Sequence, residues 1–215
     1  MLATERATLV QPVVLDGRHV RLEPLGGGHA RGLVAAASGP RGTYAFSTVP
    51  ADEPSMAGYI GAALRDQEAG RALPFATVAK ATGRVVGSTR FGNIEFWPWP
   101  PGSANQRGGD VPDAVEIGWT WLAADVQRTP INTEAKLVML AHAFETWRVH
   151  RVSLMTDARN ERSRRAILRL GARFDGVIRA QRPGSDGAIR DTAAFSILDH
   201  EWPTAKQQLQ SRLNQ

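Results

Sequence analysis

The stretch DVQRTPINTEAKLVML, residues 125–140, decides how the second half of this chain is interpreted. Asn132 is a typical N-cap residue, Glu134 suits the first turn, and apolar residues follow at helical spacing. A loop that leads into a helix N-terminus is a natural anion site, because unpaired N–H groups meet the positive end of the helix dipole there. Loops that bind phosphate are usually rich in glycine, whereas this one carries Arg128 and Pro130. The residues alone leave a phosphate loop and a simple capped helix equally open.

The same loop carries the groups that a bound phosphate needs. Its backbone N–H donors belong to Gln127, Arg128, Thr129, Ile131 and Asn132. The Arg128 guanidinium is a further candidate, because arginine binds phosphate oxygens through paired, charge-assisted hydrogen bonds.

Upstream of this loop, the sequence predicts an alternation of strands and helices. A hairpin is predicted over 13–25 around an Asp-Gly turn, followed by helices over 29–38 and 54–67. The runs LPFATVAK and RVVGSTRFGNIEF, joined by the turn ATGR, predict two further strands. Residues 97–112 are rich in proline and glycine, so we expect an irregular excursion between two strands. Its WPWP segment either walls a substrate pocket or buries itself against the sheet or a second subunit.

Around and after the loop, the same alternation continues. DAVEIGWTWL predicts a strand, and the helix that follows the loop extends to about Trp147. HRVSLMTD predicts the next strand, and NERSRRAILRLG predicts a helix between the cap Asn160 and the stop residue Gly171. ARFDGVIRAQRP and IRDTAAFSILDHEW close the chain as a hairpin. This order predicts one α+β domain over 1–215, with a mixed, mostly antiparallel sheet of about seven strands flanked by about four helices.

Composition argues against several kinds of site. The 215 residues include no cysteine, so disulfides, thiolate zinc sites and cysteine nucleophiles are excluded. The five histidines form no H-x-x-x-H pair, and we expect no metal.

Charge and hydropathy bear on partners and location. The net charge of +5 fits an anionic small ligand, nucleic acid or solubility alone. The arginine-rich helix lacks the aromatic residues that stack bases, so we expect no nucleic-acid partner. No run reaches the ~18 apolar residues of a membrane span, and the first twelve residues do not read as a signal peptide. We expect a cytoplasmic protein without a membrane partner.

A carboxylate in the strand before the loop is the first candidate for chemistry. Strict alternation gives one apolar face and one face with the carboxylate. These faces are Val115, Ile117, Trp119 and Trp121 on one side, and Glu116, Gly118 and Thr120 on the other. Burial raises the pKa of a carboxyl group toward that of a general base. The alternative is that Glu116 simply pairs with one of the many arginines.

A hydroxyl in the next helix is the second candidate. Ser163 precedes Ala166, Ile167 and Leu170 by three, four and seven residues, so it should face the sheet. A buried hydroxyl needs a partner. Either a ligand between the two helix starts or a carbonyl of its own helix supplies one.

In this order, the motifs resemble the GNAT acyltransferases, and within them the RimJ/RimL-like branch of ribosomal-protein N-acetyltransferases. The resemblance covers about residues 14–202. It is carried by VRLEPL, VVGSTRF, VEIGWTWL, INTEAKLVMLAHAFE, RVSLMTDARNERSRRAILRLGARFDGVIR and DTAAFSILDHEW. It implies a sheet splayed between its fourth and fifth strands, with acetyl-CoA bound as co-substrate in the cleft.

Carried over by position, the resemblance also implies roles for the candidates. Glu116 matches the strand carboxylate that acts as general base, directly or through water, and Ser163 lies near the sulfur as proton donor to the leaving thiolate. The strand would contact the acetyl group and pantetheine, the loop the pyrophosphate, and Asn160 the pantetheine. The implied cofactor-binding set is Trp119, Trp121, Leu122, Gln127, Arg128, Thr129, Ile131, Asn132, Thr133, Asn160 and Ser163.

The opening loop departs from the family pattern Arg/Gln-x-x-Gly-x-Gly/Ala. Gln127 matches its first position, but Pro130 replaces the glycine and Asn132 the small residue. Pro130 removes one N–H donor, which is a loss of about 1.5–3 kcal/mol if that hydrogen bond is charge-assisted. We expect Arg128 to compensate for it.

The sequence therefore predicts an N-acetyltransferase that uses acetyl-CoA. Its acceptor would be a primary amine, either of a small molecule or of a protein N-terminus. The alternative is a catalytically degenerate GNAT domain that binds CoA or a protein partner. Dimers are common in the family, so a homodimer remains open.

Overall fold

The structure of the protein, a computed structural model, describes residues 10–214. Most of the segment tested for a signal peptide, residues 1–12, lies outside them. The described chain forms eight strands and five α-helices. The strands are β1 (Leu15–Asp16), β2 (Val20–Pro24), β3 (Leu73–Ala79), β4 (Arg84–Glu95), β5 (Ala114–Leu122), β6 (Arg151–Asp157), β7 (Arg173–Pro183) and β8 (Ile189–Leu198). The helices are α1 (Ala30–Ala37), α2 (Glu53–Glu68), α3 (Pro130–Ala141), α4 (Glu161–Leu168) and α5 (Trp202–Leu213).

The strands form one mixed sheet in the order β1-β2-β3-β4-β5-β6-β8-β7. All neighbouring pairs are antiparallel except β5 and β6, which are parallel. This confirms the predicted fold class, with one strand more than expected. Between β4 and β5, the proline-rich excursion is irregular, as predicted.

The predicted closing hairpin is confirmed as β7 and β8, but it is not the last element, because α5 follows β8. Trp202, Ala205 and Leu209 of this helix are buried in the core. Their spacing of three and four residues is typical of a helix, so the sequence does carry a signal for α5.

Helix α3 begins earlier than predicted, so the prediction that Asn132 is its N-cap is wrong. The cap is Thr129, whose hydroxyl accepts the N–H of Ile131, and Pro130 occupies the first helical turn. Proline is well suited there, because its missing N–H would be unpaired in any case and its φ is already helical. Asn132 lies inside the first turn. The helix continues through a π-helical turn, His142–Thr146, to the predicted end near Trp147.

Glu134 ties α3 to the β1–β2 turn. Its buried carboxylate accepts the backbone N–H groups of Arg18, His19 and Val20 at 2.8, 2.5 and 2.8 Å. A turn leaves such N–H groups without ladder partners, and burying them unpaired would be costly. One side chain from a helix more than a hundred residues away therefore satisfies them.

Helices cover both faces of the sheet. On one face, α1 and α2 pack Leu33, Met56 and Ile60 against strand residues such as Trp121. On the other, α3 and α5 enclose the larger core, whose members include Phe91, Met139, Leu140, Val152, Phe195 and Leu209. Within the described residues, no helix is long and apolar enough to cross a membrane.

A β-bulge in β5 overturns the predicted alternation beyond Ile117. Trp119 has a φ of +51°, and the register against β4 shifts between Ser88 and Arg90. Ile117 faces the α3 side, but Trp121 packs in the α1–α2 cluster instead of sharing that face. Thr120 correspondingly points toward α3, where it contacts Lys136. A residue inserted into a strand moves every later side chain of that strand to the opposite face of the sheet. The sequence of β5 carries no clear signature of such a bulge.

Past their first residues, β5 and β6 separate. Their ladder consists of the pairs Ala114↔Arg151, Val115↔Val152 and Glu116↔Ser153. Beyond that point β5 continues to Leu122 and β6 to Asp157 without pairing to each other. The sheet is therefore splayed between β5 and β6. These are the expected fourth and fifth strands if β1 and β2 are counted together as the first strand.

We expect Glu134→Gln to lower the free energy of unfolding by about 1.5–3 kcal/mol, because the glutamine amide has one acceptor oxygen, whereas the carboxylate has two, which together accept three backbone N–H groups. Urea denaturation at neutral pH measures the change. Glu68→Gln, at an exposed end of α2, is the control and should shift stability by less than about 0.5 kcal/mol. A Glu134→Gln variant as stable as this control would contradict the assignment.

Candidate functional site

The wedge between β5 and β6 has a helix start on either side of its open end. β5 leads through the loop into α3, and β6 leads directly into α4. Arg162 in the first turn of α4 reaches across to the Gln127 Oε1 atom at 3.2 Å and to the Thr43 carbonyl at 2.7 Å. The two helix starts thus lie close together, as the sequence predicted for two strand–helix junctions that meet at one end of the sheet.

The α3 loop keeps some of its predicted donors and uses others internally. The N–H of Gln127 is bonded to the Ala124 carbonyl, and that of Ile131 to the Thr129 hydroxyl. The N–H groups of Arg128, Thr129 and Asn132 have no partner among the described residues. They are the donors left for an anion.

Arg128 stands out in this loop. Its φ is +65°, a backbone conformation uncommon for a residue with a side chain. Its side chain is exposed and makes no ion pair within the described chain. The Asn132 Oδ1 atom nearby is buried and lacks a hydrogen-bond partner. The Arg128 guanidinium and the Asn132 Oδ1 atom at the helix start are therefore available to a ligand.

The Gln127 side chain is, in contrast, fully engaged. Its amide donates to the Thr43 hydroxyl at 3.2 Å and to the Leu122 carbonyl at 2.9 Å. The same carbonyl also accepts the hydroxyl of Tyr44 at 3.0 Å. A cofactor that contacts Gln127 or the backbone of Leu122, as predicted, would therefore have to share these hydrogen bonds or replace them.

The start of α4 matches its prediction. Asn160 is the N-cap, and its Oδ1 atom accepts the N–H of Ser163 at 3.0 Å. Ser163 is half-buried, and its hydroxyl has no hydrogen-bond partner in the part of the chain described. The alternative in which this hydroxyl bonds a carbonyl of its own helix is not what the structure shows.

Glu116 lies at the closed end of the wedge, at the last β5–β6 pair. It is 3% exposed, and its carboxylate accepts the amide of Asn93 at 2.6 Å. Burial raises its pKa, while the Asn93 hydrogen bond and the charges of Arg182 and Arg190 act in the opposite direction. It has no ion pair within 4 Å among residues 10–214, so the simple pairing alternative does not hold.

The Glu116 carboxylate opens on a cleft of about 500 Å³. Polar lining comes from Asn93, Glu95, Glu116, Arg151, Ser153 and Asp175, and apolar lining from Met155, Val177, Ile178 and Ala194. This volume is that of a small-molecule site. A buried carboxyl group with a raised pKa at its wall is a suitable proton acceptor for a substrate in the cleft.

The two tryptophans of β5 are on the α1–α2 side of the sheet. Trp119 is 39% exposed, and its ring lies 5.0 Å from the Arg90 guanidinium. Trp121 is buried, with its ring edge-on to Tyr44. The bulge at Trp119 takes β5 backbone groups out of the regular β4 ladder, which frees them for a ligand.

On the α3 side of the bulge lies a buried lysine that was not predicted as a site residue. Lys136 of α3 is 5% exposed, and its Nζ atom donates to the hydroxyls of Thr89 and Thr120 at 2.9 and 2.6 Å. No carboxylate pairs with it in the described chain, and burial lowers its pKa to about 7. A signal existed, because Lys136 stands on the apolar stripe that includes Met139 and Leu140.

The WPWP segment packs on its own molecule. The Trp97 ring stacks on His150 at 5.6 Å, and the Trp99 indole N–H donates to Asp113 at 2.7 Å. Trp97 also donates its indole N–H to Glu95, a residue of the cleft wall. The segment therefore contacts the cleft through one of its lining residues, Glu95.

Comparisons with known proteins identify the family of this chain. Residues 19–173 match the family described as Acetyltransferase (GNAT) domain. A GCN5-related N-acetyltransferase from Brucella melitensis is 31% identical, with a TM-score of 0.78 over 94% of this chain and 86% of that one. No curated protein matches the chain.

Two further solved structures share the fold at lower identity. Mycobacterium smegmatis RimJ, in complex with CoA-disulfide, is 22% identical, with a TM-score of 0.73 over 94% of this chain and 92% of that one. A ribosomal-protein-S5-alanine acetyltransferase from Vibrio fischeri is 17% identical, with a TM-score of 0.67 over 88% and 98%.

The buried lysine makes stability depend on pH. Unfolding restores the pKa of Lys136 from about 7 toward 10.5, so between these values the unfolded state binds more protons and stability rises with pH. Lys136→Met removes this dependence. We expect the variant to be more stable than the parent at about pH 7, with a difference that shrinks toward about pH 9.

Urea denaturation across this pH range tests the prediction. Lys80→Met, at an exposed position, should leave the pH dependence of the parent unchanged. Parallel curves for the parent and Lys136→Met would show that Lys136 is protonated in the fold.

Proposed function

The chain belongs to the GNAT acetyltransferase family, and we propose that it transfers an acetyl group from acetyl-CoA directly to a primary amine of a small molecule or of a peptide N-terminus. The observation that carries the proposal is Glu116, a buried carboxyl group of raised pKa at the closed end of the β5–β6 wedge. Its cleft is sized for a small ligand or for the end of a peptide.

The residues at the wedge fit the co-substrate. Arg128 and the free N–H groups of the α3 start suit the pyrophosphate, because they combine a mobile charge with a helix dipole. Backbone groups of β5 around Trp119, Trp121 and Leu122 line the path of the pantetheine and acetyl group. Thr133, Asn160 and Ser163 complete the proposed set at the two helix starts.

In the proposed reaction, Glu116 takes a proton from the acceptor ammonium, directly or through a water. The neutral amine then attacks the thioester carbonyl carbon. N–H groups of the β5 bulge stabilise the oxyanion of the tetrahedral intermediate. Collapse breaks the C–S bond, and the thiolate receives a proton from the Ser163 hydroxyl, which has no other partner among the described residues. The nitrogen that attacked loses its extra proton as the amide forms, and this proton reaches Ser163 through water and restores its hydroxyl.

A second candidate is a GNAT domain that binds CoA or a protein without catalysis. Two observations favour it: Pro130 has no N–H to donate, and Gln127 is occupied by Thr43, Leu122 and Arg162. Incubation with acetyl-CoA and a panel of primary amines separates the candidates. Thermal stabilisation by CoA without acetylation of any amine would favour the second one.

We expect Glu116→Gln to lower kcat about 100-fold or more, the scale of a lost general base, while the Kd of acetyl-CoA stays within about twofold. In the parent, kcat should fall as pH falls through the raised pKa of Glu116. Asn93→Gly should move this acidic limb to higher pH, because Asn93 lowers that pKa and glycine tolerates the local φ of +45°. An unchanged kcat in Glu116→Gln would exclude the role.

We expect Arg128→Ala to weaken CoA binding about tenfold or more, the equivalent of one charge-assisted hydrogen bond. Isothermal titration calorimetry measures the Kd. Arg148→Ala is a matched control, since Arg148 is also exposed and has a positive φ of +59°. Equal affinities for CoA in the two variants would contradict a pyrophosphate contact of Arg128.

A further inference from the structure

Two arginines without an ion-pair partner stand on the outer hairpin, on the side of the sheet that carries the Glu116 cleft. Arg182 of β7 and Arg190 of β8 stand directly opposite each other in the antiparallel ladder. Like charges in such a pair destabilise a sheet unless something compensates. Neither guanidinium has an ion pair within 4 Å in the described chain, and the Arg190 Nε atom is buried without a hydrogen bond.

Strand register places this pair on the face of the cleft. Glu116 pairs with Ser153 of β6, Ser153 pairs with Ser196 of β8, and even-numbered β8 residues from Ser196 to Arg190 share one side. Ala194, which belongs to that side, lines the cleft. Both guanidinium groups act on the Glu116 carboxylate by Coulomb attraction, in agreement with the register.

A second β-bulge creates the arginine pair. Three residues of β7, 179–181, stand opposite the single β8 residue Asp191, which accepts the N–H of Ala180 at 2.7 Å. Ala180 has a φ of +49°, which is uncommon for a residue other than glycine. Regular pairing would put Ala180 opposite Arg190. The bulge puts Arg182 there instead, and such re-aimed side chains are common next to binding sites.

No nearby carboxylate forms an ion pair with either arginine in the described chain, although the charges of Asp157 and Glu116 act on Arg190. Asp157 is closest to Arg190 in the register, but Arg159 holds it through two contacts of 2.7 and 3.0 Å and lowers its pKa. At the other end of the cleft stand Glu95 and Asp175 beside Glu116. Glu95 pairs with Arg151, so Glu116 and Asp175 are the carboxylates without an ion pair at that end, and the two arginines lie further along β7 and β8 from it.

On this arrangement, and on the basis of the function proposed above, we propose that Arg182 and Arg190 bind a carboxylate of the acceptor. The acceptor is then a free amino acid, whose amine lies toward Glu116. The apolar wall of Met155, Val177 and Ile178 favours an apolar side chain. A volume of about 500 Å³ holds such a molecule.

Leucine and leucinamide test the proposal, because they differ only in the carboxylate. With acetyl-CoA saturating, we expect kcat/KM for leucine to exceed that for leucinamide at least tenfold, although the amide has the more easily deprotonated amine. Arg182→Gln and Arg190→Gln should each reduce this ratio about tenfold or more without changing the KM of acetyl-CoA. Arg179→Gln, an exposed arginine of the same bulge, should keep the ratio.

Arg182 is exposed, so Arg182→Gln should fold even if Arg190→Gln does not. A parent ratio at or below one, or a ratio that survives Arg182→Gln, would overturn the proposal. Acetylation of neutral amines without this preference would refute the carboxylate site and leave the acetyltransferase function standing.

Calorimetry decides the question independently of turnover. N-acetylleucine should bind the CoA-saturated protein at least tenfold more tightly than N-acetylleucinamide, and Arg182→Gln should abolish the difference. If no amine is acetylated but this difference is found, the carboxylate site stands and the catalytic proposal fails. Equal binding of the two probes, or no binding of either, would contradict the site.

Discussion

Backbone groups that leave a sheet need new partners, and this constraint governs the region where β5 and β6 part. After the three pairs that join them, both strands run on with one edge unpaired. Tyr44 and Gln127 satisfy the carbonyl at the end of β5. The β5 bulge turns other backbone groups out of the ladder on the β4 side. A polar ligand of extended shape is the natural complement of such an edge, and the pantetheine arm that we propose for this wedge has that character.

Burying an ionisable side chain costs free energy, and three such side chains in this protein meet that cost in different ways. The Glu134 carboxylate accepts three backbone N–H groups, which replace the water that it loses on burial. Lys136 has only two hydroxyls to bond to, so burial lowers its pKa to about 7. Glu116 has one strong donor, Asn93, and burial raises its pKa. The first is structural, and the last has the properties that catalysis requires.

Regular elements could be predicted from the sequence, whereas departures from regularity could not. Periodicity and turn residues located the hairpins, the cap Asn160 and the helices other than α5, because these are local properties. The Asn132 cap was wrong since Thr129 followed by Pro130 is an equally good start signal. The facing of Trp121 was wrong because a bulge reverses alternation. Glu134 finds its partners more than a hundred residues away, and Arg182 meets Arg190 through the strand register. Neither kind of contact can be predicted from a single sequence.

The composition of the α3 loop has a consequence for the conditions under which the protein works. A glycine-rich cradle binds phosphate with fixed, shielded dipoles, whereas Arg128 is an exposed charge on a flexible side chain. Dissolved ions screen exposed charges over about 8 Å at physiological ionic strength. If Arg128 supplies what Pro130 cannot, co-substrate affinity becomes sensitive to salt, and occupancy of the wedge follows the ionic composition of the surrounding solution.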